Sequence, residues 1–167
     1  MVSLVRLTQP KGTEQKEDDI MNQLFTDMYA KEHEIHTRYH AAKEAHDQQA
    51  MQQAHDDLAA LRGEIFDMGE KFRTMYNLYA TAMKVGNAQI DIWEPSQYRK
   101  ADELIADFRE YGIETFTFSS SWSSASATAW KFIENGCKLE GMIEIRGNTI
   151  DYWTDEYEKR PAYLFRV

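Results

Sequence analysis

The chain has 167 residues, a formal charge of −9 at pH 7 and a pI near 5.0, with 43% hydrophobic and 13% aromatic residues. That is enough for one domain, or for a helical arm plus a small domain. The acidic balance argues against direct nucleic-acid binding, which needs clustered Lys and Arg. No apolar run approaches the roughly 18 residues of a membrane span, and the single Cys137 excludes an internal disulfide, so a cytoplasmic protein is expected.

Residues 1–17 carry Pro10, Gly12 and mixed charge and read as a flexible tail, with Val2, Leu4, Val5 and Leu7 offering at most a short strand. Asp18 or Asp19 is a candidate N-cap for a helix running to about His46. Its apolar seam is Met21, Leu24, Met28, Ile35, Ala42 and Ala45, widened by Phe25, Tyr29 and Tyr39 and interrupted by Lys31 and Arg38. The heptad phase slips before Met51. A turn over His46–Gln49, with Asp47 as N-cap, explains the slip and makes an antiparallel hairpin; a single continuous helix with a stutter is the alternative.

From Met51 to Met83 the apolar steps of three and four are unbroken: Met51, Ala54, Leu58, Leu61, Ile65, Met68, Phe72, Met75, Tyr79 and Ala82. The pattern predicts one helix of about 50 Å with a narrow seam that needs a partner helix. That partner is either the first helix or a second copy of the chain, which would make a homodimer. Gly63 and Gly69 lie off the seam, where they would allow close approach of another element, and Gly86 is the expected C-cap.

Beyond residue 88 the composition changes, and all four Trp fall there. Ile90, Ile92 and Trp93 suggest a strand, and Pro95-Ser96 open a helix over 97–111. A strand over 114–119, a helix over 122–135 and a strand over 137–146 follow. Gly147-Asn148 signals a turn, and further strands are expected near 149–153 and 162–167. The fold class is therefore α+β. An antiparallel coiled-coil hairpin of long helices over 18–86 precedes a small α/β domain over 88–167, with a sheet of three to five strands and helices on one face.

Few residues point to chemistry. His33, His36 and His40 share one face of the first helix and are the candidate metal ligands, yet they lie off the seam and miss the HExxH spacing by one residue; a solvated polar face is the reading preferred. Ser119, Ser120, Ser121, Ser123, Ser124 and Ser126 outline a strand–turn–helix without the glycines of a nucleophile elbow. No His follows His55 to serve as a base, so capping and small-residue packing account for them. Cys137 reads as a buried small hydrophobe, and Trp122 and Trp130 as core. Trp153 and Tyr152, in a polar turn-rich stretch, are candidates for an exposed binding role. No catalytic residue and no cofactor is assigned.

Acidic patterning is what folding explains least. Asp56, Asp57, Glu64, Asp67 and Glu70 form an off-seam negative face, and Asp151, Asp155 and Glu156 form a second group. Such carboxylates can stand in for phosphates on a basic surface and steer its approach.

The stretches FTFSSSWSSASATAW (116–130), GCKLEGMIEIRG (136–147) and DEYEKRPAYLFRV (155–167) resemble a module of small accessory proteins of bacterial mobile elements, over roughly residues 113–167. The resemblance transfers no active-site residue. It implies a context that includes anti-CRISPR inhibitors, which occupy nucleic-acid-reading surfaces. The expected function is a non-enzymatic acidic inhibitor that binds a nucleic-acid-handling protein such as a Cas9 nuclease. A homodimeric coiled-coil scaffold and a His-cluster metal-binding protein are the alternatives.

Overall fold

The computed structural model describes residues 14–93 and 100–167, and side chains from residue 23 onward within the first helix. The possible short strand at Val2–Leu7 and the Pro95-Ser96 helix opening lie outside the described residues.

Helix α1 spans Glu14–Glu44. It starts ahead of Asp18 and Asp19, which corrects the expected N-cap; the run from Glu14 to Glu17 consists of good helix formers and extends the helix backward. Among its described side chains Phe25, Met28, Ile35 and Ala42 are buried, spaced three or seven apart as a single packed stripe requires. The chain then turns at Ala45–Asp47, with His46 at φ 56°. Helix α2, Gln48–Asp67, begins at the predicted cap: Asp47 Oδ1 accepts a hydrogen bond from the Ala50 amide at 3.0 Å. The continuous-helix alternative is thereby excluded. Arg38 Nη2 meets Asp57 Oδ2 at 2.8 Å across the turn, so α1 and α2 lie side by side. Asp47→Ala should lower the unfolding free energy by about 1 kcal/mol, because one orphan amide of α2 loses its acceptor; a shifted urea midpoint at constant slope is the readout.

The expected rod over Met51–Met83 is broken. Helix α2 stops at Asp67, and helix α3 spans Glu70–Val85. Between them Gly69 takes φ 95°, a conformation that side chains disfavour and glycine tolerates. The seam survives the break: Ala54, Leu61, Ile65, Phe72, Met75 and Ala82 are all buried, while Met68, at the break itself, is 44% exposed. Periodicity reports which side of a helix is apolar, not whether its axis is continuous. The seam is covered within the chain, in one cluster with Met28 and Ile35 of α1, so a homodimer would have to use another surface. An added Cβ at Gly63 or Gly69 meets nothing within 4 Å; the close approach expected there does not occur. Gly86 closes α3 in the left-handed region, at φ 77°, as predicted.

The remaining elements are β1 (Ile90–Trp93), α4 (Ala101–Glu110), β2 (Thr115–Ser119), α5 (Ala125–Glu134), β3 (Lys138–Ile150) and β4 (Tyr157–Arg166). They form a four-stranded mixed sheet in the order β1-β2-β4-β3. Strands β1 and β2 are parallel, joined through α4 as a crossover must be, and β4 runs antiparallel to both β2 and β3. Phe116, Phe118 and Phe165 face α4 and α5, where Phe108 lies 4.9 Å and Phe132 5.1 Å from the Phe116 ring.

Two expectations are corrected here. Gly147-Asn148 is not a turn; it lies inside β3, where the register with β4 shifts between Arg146 and Ile150, a bulge that glycine permits. Trp122 and Trp130 are 44% and 59% exposed, because Ala129 and Phe132 define the inward face of α5 and Trp130 is rotated away from it. The two helices of the small domain, α4 and α5, share the phenylalanine face as expected, and the arm supplies the other side. Alternation sends Asp91, Thr117 and Ser119 to the side opposite the phenylalanines, and α3 borders that side through Leu78, Ala82 and Val85.

Candidate interaction surface

The long β3–β4 pair ends in the segment 151–156. Asp151 organises it. Its Oδ1 accepts from the amides of Trp153 at 2.8 Å and Thr154 at 3.0 Å, the side-chain mimic of a turn that Asp commonly makes. Two backbone bonds close the segment, Asp155 N to Asp151 O at 3.0 Å and Asp151 N to Glu156 O at 2.7 Å. Asp155 adopts φ 57°, a left-handed position that Asp tolerates better than most residues. The Trp153 amide, then the Thr154 amide, hold the Asp151 carboxyl below the usual range, since both favour the ionised form.

This ordered tip presents Tyr152 and Trp153 at 89% and 88% exposure. Among the described residues their ring contact is with each other, edge to face at 5.3 Å and 84°. Folding does not need them there. Burying such a side chain is worth about 1.5–3 kcal/mol, which this fold forgoes twice on neighbouring residues. Asp151, Asp155 and Glu156 surround the pair and are themselves exposed.

The root of the hairpin is anchored by a polar cluster. Asp91 of β1 accepts from Thr117 Oγ1 at 2.8 Å, Ser119 Oγ at 2.6 Å and Arg160 Nη2 at 3.0 Å. The Arg160 guanidinium carbon lies 3.6 Å from the centre of the Trp93 ring. Arg160 of β4 is thus clamped between a carboxylate and an indole, a desolvated cation–π arrangement. Sequence reasoning missed Asp91 and Arg160. The available signal was an acid inside the otherwise apolar IDIW strand, with Thr and Ser alternating in TFTFS.

The acidic face of α2 is only partly free. Asp57 accepts from Arg38 and Gln53; the Gln53 amide first, then the Arg38 guanidinium, holds its carboxyl below the usual range. Asp56 accepts from Gln52 at 2.8 Å and faces His55. Glu64, Asp67 and Glu70 are exposed around the α2–α3 break, with no ion pair among the described residues. His33, His36 and His40 line one side of a cleft between α1 and the α2–α3 segment; no group of three or more His, Cys, Asp or Glu that could hold a metal ion occurs among the described residues. Cys137 is buried, and burial pushes its thiol pKa up, which keeps it protonated and unreactive. No described helix is long and apolar enough to cross a membrane.

A family model described as a domain of unknown function (DUF7698) matches residues 74–167, more than half of the chain. The match takes in α3 after its first turn, the whole sheet and the hairpin tip. No curated protein and no solved structure matches the chain.

Proposed function

The chain belongs to the DUF7698 family, and from there we propose that it is a cytoplasmic, non-enzymatic interaction protein that docks through its β3–β4 tip. The carrying observation is the solvent-presented Tyr152–Trp153 pair on a turn locked by Asp151. Rigid aromatics that lose little freedom on binding are the residue types that dominate interface energies, at about 2 kcal/mol or more each. The carboxylates Asp151, Asp155 and Glu156 ring them, and Glu64, Asp67 and Glu70 add a second negative patch. Such a surface suits a partner with a basic, nucleic-acid-binding face. Together with the resemblance to mobile-element accessory proteins, this favours an inhibitor of a nucleic-acid-handling protein, a Cas9-type nuclease being the target class proposed. In this reading α1 and α2 form a coiled-coil arm that carries the acidic face.

The test pairs wild type with the double variant Tyr152→Ala, Trp153→Ala against a purified Cas9-type nuclease. Wild type should bind in a salt-sensitive manner and slow cleavage. The variant should bind at least tenfold more weakly, a change of about 1.4 kcal/mol, with unfolding free energy within about 0.5 kcal/mol of wild type. Absence of inhibition removes the target class, and equal binding by the variant removes the tip as the docking element.

A further inference from the structure

The α1–α2–α3 cleft has a volume of ≈ 980 Å³, within the range of about 300–1,000 Å³ found for small-molecule sites. It exists because the chain breaks at Met68–Gly69: residues from both sides of the break, such as Arg62 and Arg73, then face α1 across one space. Its charge runs against that of the whole chain. In a protein of net charge −9, the walls carry Arg62, Arg73 and Lys84 against the single carboxylate of Glu32.

None of the three cations is ion-paired among the described residues, whereas Arg38, Lys71, Arg160 and Arg166 all are. The one acid is already engaged, Glu32 Oε2 accepting from the Tyr76 hydroxyl at 2.8 Å. The acids of α2, Asp56, Asp57, Glu64 and Asp67, do not line the cleft. Unpaired guanidinium groups converging on a concave surface are recognition elements for phosphate, which they bind in a bidentate manner.

The remaining wall is aromatic. Tyr29 and His33 stack at 6.4 Å with an interplanar angle of 20°, and Arg73 sits 5.2 Å over the Phe66 ring, itself 64% exposed. The imidazoles of His36 and His40 continue the same wall with further N–H donors. A planar ring laid against Tyr29 and Phe66 and a phosphate chain reaching the three cations would satisfy both halves of the lining at once.

We propose that this cleft binds a small phosphorylated ligand bearing a planar ring, of the nucleotide class, through Arg62, Arg73 and Lys84 on the phosphates and the Tyr29 and Phe66 rings on the base. The site is separate from the hairpin tip, and neither proposal needs the other.

Calorimetric titration of the full chain with ATP tests it, with adenosine and inorganic tripolyphosphate as parallel arms. ATP should bind saturably and more tightly than either fragment. The variants Arg62→Gln and Arg73→Gln should each weaken ATP at least tenfold with unchanged melting, and the Tyr152→Ala, Trp153→Ala variant should bind ATP as wild type does. Should either arginine variant lose its fold, Lys84→Gln, at an exposed position, takes its place under the same criterion. No saturable ATP binding, or ATP binding untouched by these substitutions, overturns the proposal. Tripolyphosphate binding as tightly as ATP removes the ring from it, and a single-stranded oligonucleotide outcompeting ATP at equal phosphate concentration replaces the small molecule by nucleic acid.

Discussion

Asp91→Ala should destabilise the protein by about 3–5 kcal/mol, the range for removing one partner of a buried ion pair. The side chains of Arg160 and Asp91 are 15% and 11% exposed, so the guanidinium left behind would be a largely desolvated charge. Its Nε already has no hydrogen-bond partner among the described residues, which leaves it little scope to compensate. Ser119 would lose its acceptor as well, and Thr117 the nearer of its two, the Ile90 carbonyl at 3.3 Å remaining. Arg160→Met should be milder, because Asp91 keeps the Thr117 and Ser119 donors, and the double variant milder than the sum of the two, because removing both partners leaves no unpaired charge. A double-mutant cycle from urea unfolding gives the coupling directly. A cost below about 1 kcal/mol for Asp91→Ala would mean that Arg160 finds water instead, and that the cluster does not anchor the hairpin. Since a domain of this size is stable by only about 5–15 kcal/mol, the expected loss is a large fraction of the total.

Phe25→Ala should cost a similar amount, about 3–5 kcal/mol, as large-to-small changes at filled core positions do. Phe25 is 1% exposed, and its ring lies 5.2 Å from Phe72, 5.6 Å from Tyr79 and 5.9 Å from Tyr111. Those partners belong to α3 and to the residue following α4, so one side chain joins the N-terminal helix to the sheet-bearing half. Beyond lost stability, faster amide exchange along α1 than along β2 and β4 is expected, because α1 is the element released. Uniform acceleration throughout the chain would instead show that α1 and the sheet open as one unit, and that this contact does not mark the weak seam between them.

The two helical halves were differently legible. The turn at Asp47 followed from a slip in heptad phase and a good capping residue, both local facts. The break at Gly69 did not, because a glycine inside a strong periodic pattern usually costs helix stability without ending the helix, and here the surrounding packing decided otherwise. Alternation marks the strands approximately, but composition points to Gly147-Asn148 for the hairpin turn, whereas Asp151 with its two captured amides makes the reversal. Size and spacing point Trp122 and Trp130 inward, but the packed face of α5 follows Ala129 and Phe132.

Local chemistry in the sequence settled the α+β class, the apolar side of each helix, the Asp47 and Gly86 caps, and the negative charge of the exposed acids. These depend on near neighbours along the chain and survive whatever the rest does. Tertiary structure alone decided that the seam is covered internally, that Arg38 takes Asp57, that Asp91 meets Arg160 from 69 residues away, and that Arg62, Arg73 and Lys84 look into one cleft. Each of these joins residues distant in sequence, and no periodicity records which distant side chains a packed core will bring within hydrogen-bonding or charge-pairing reach.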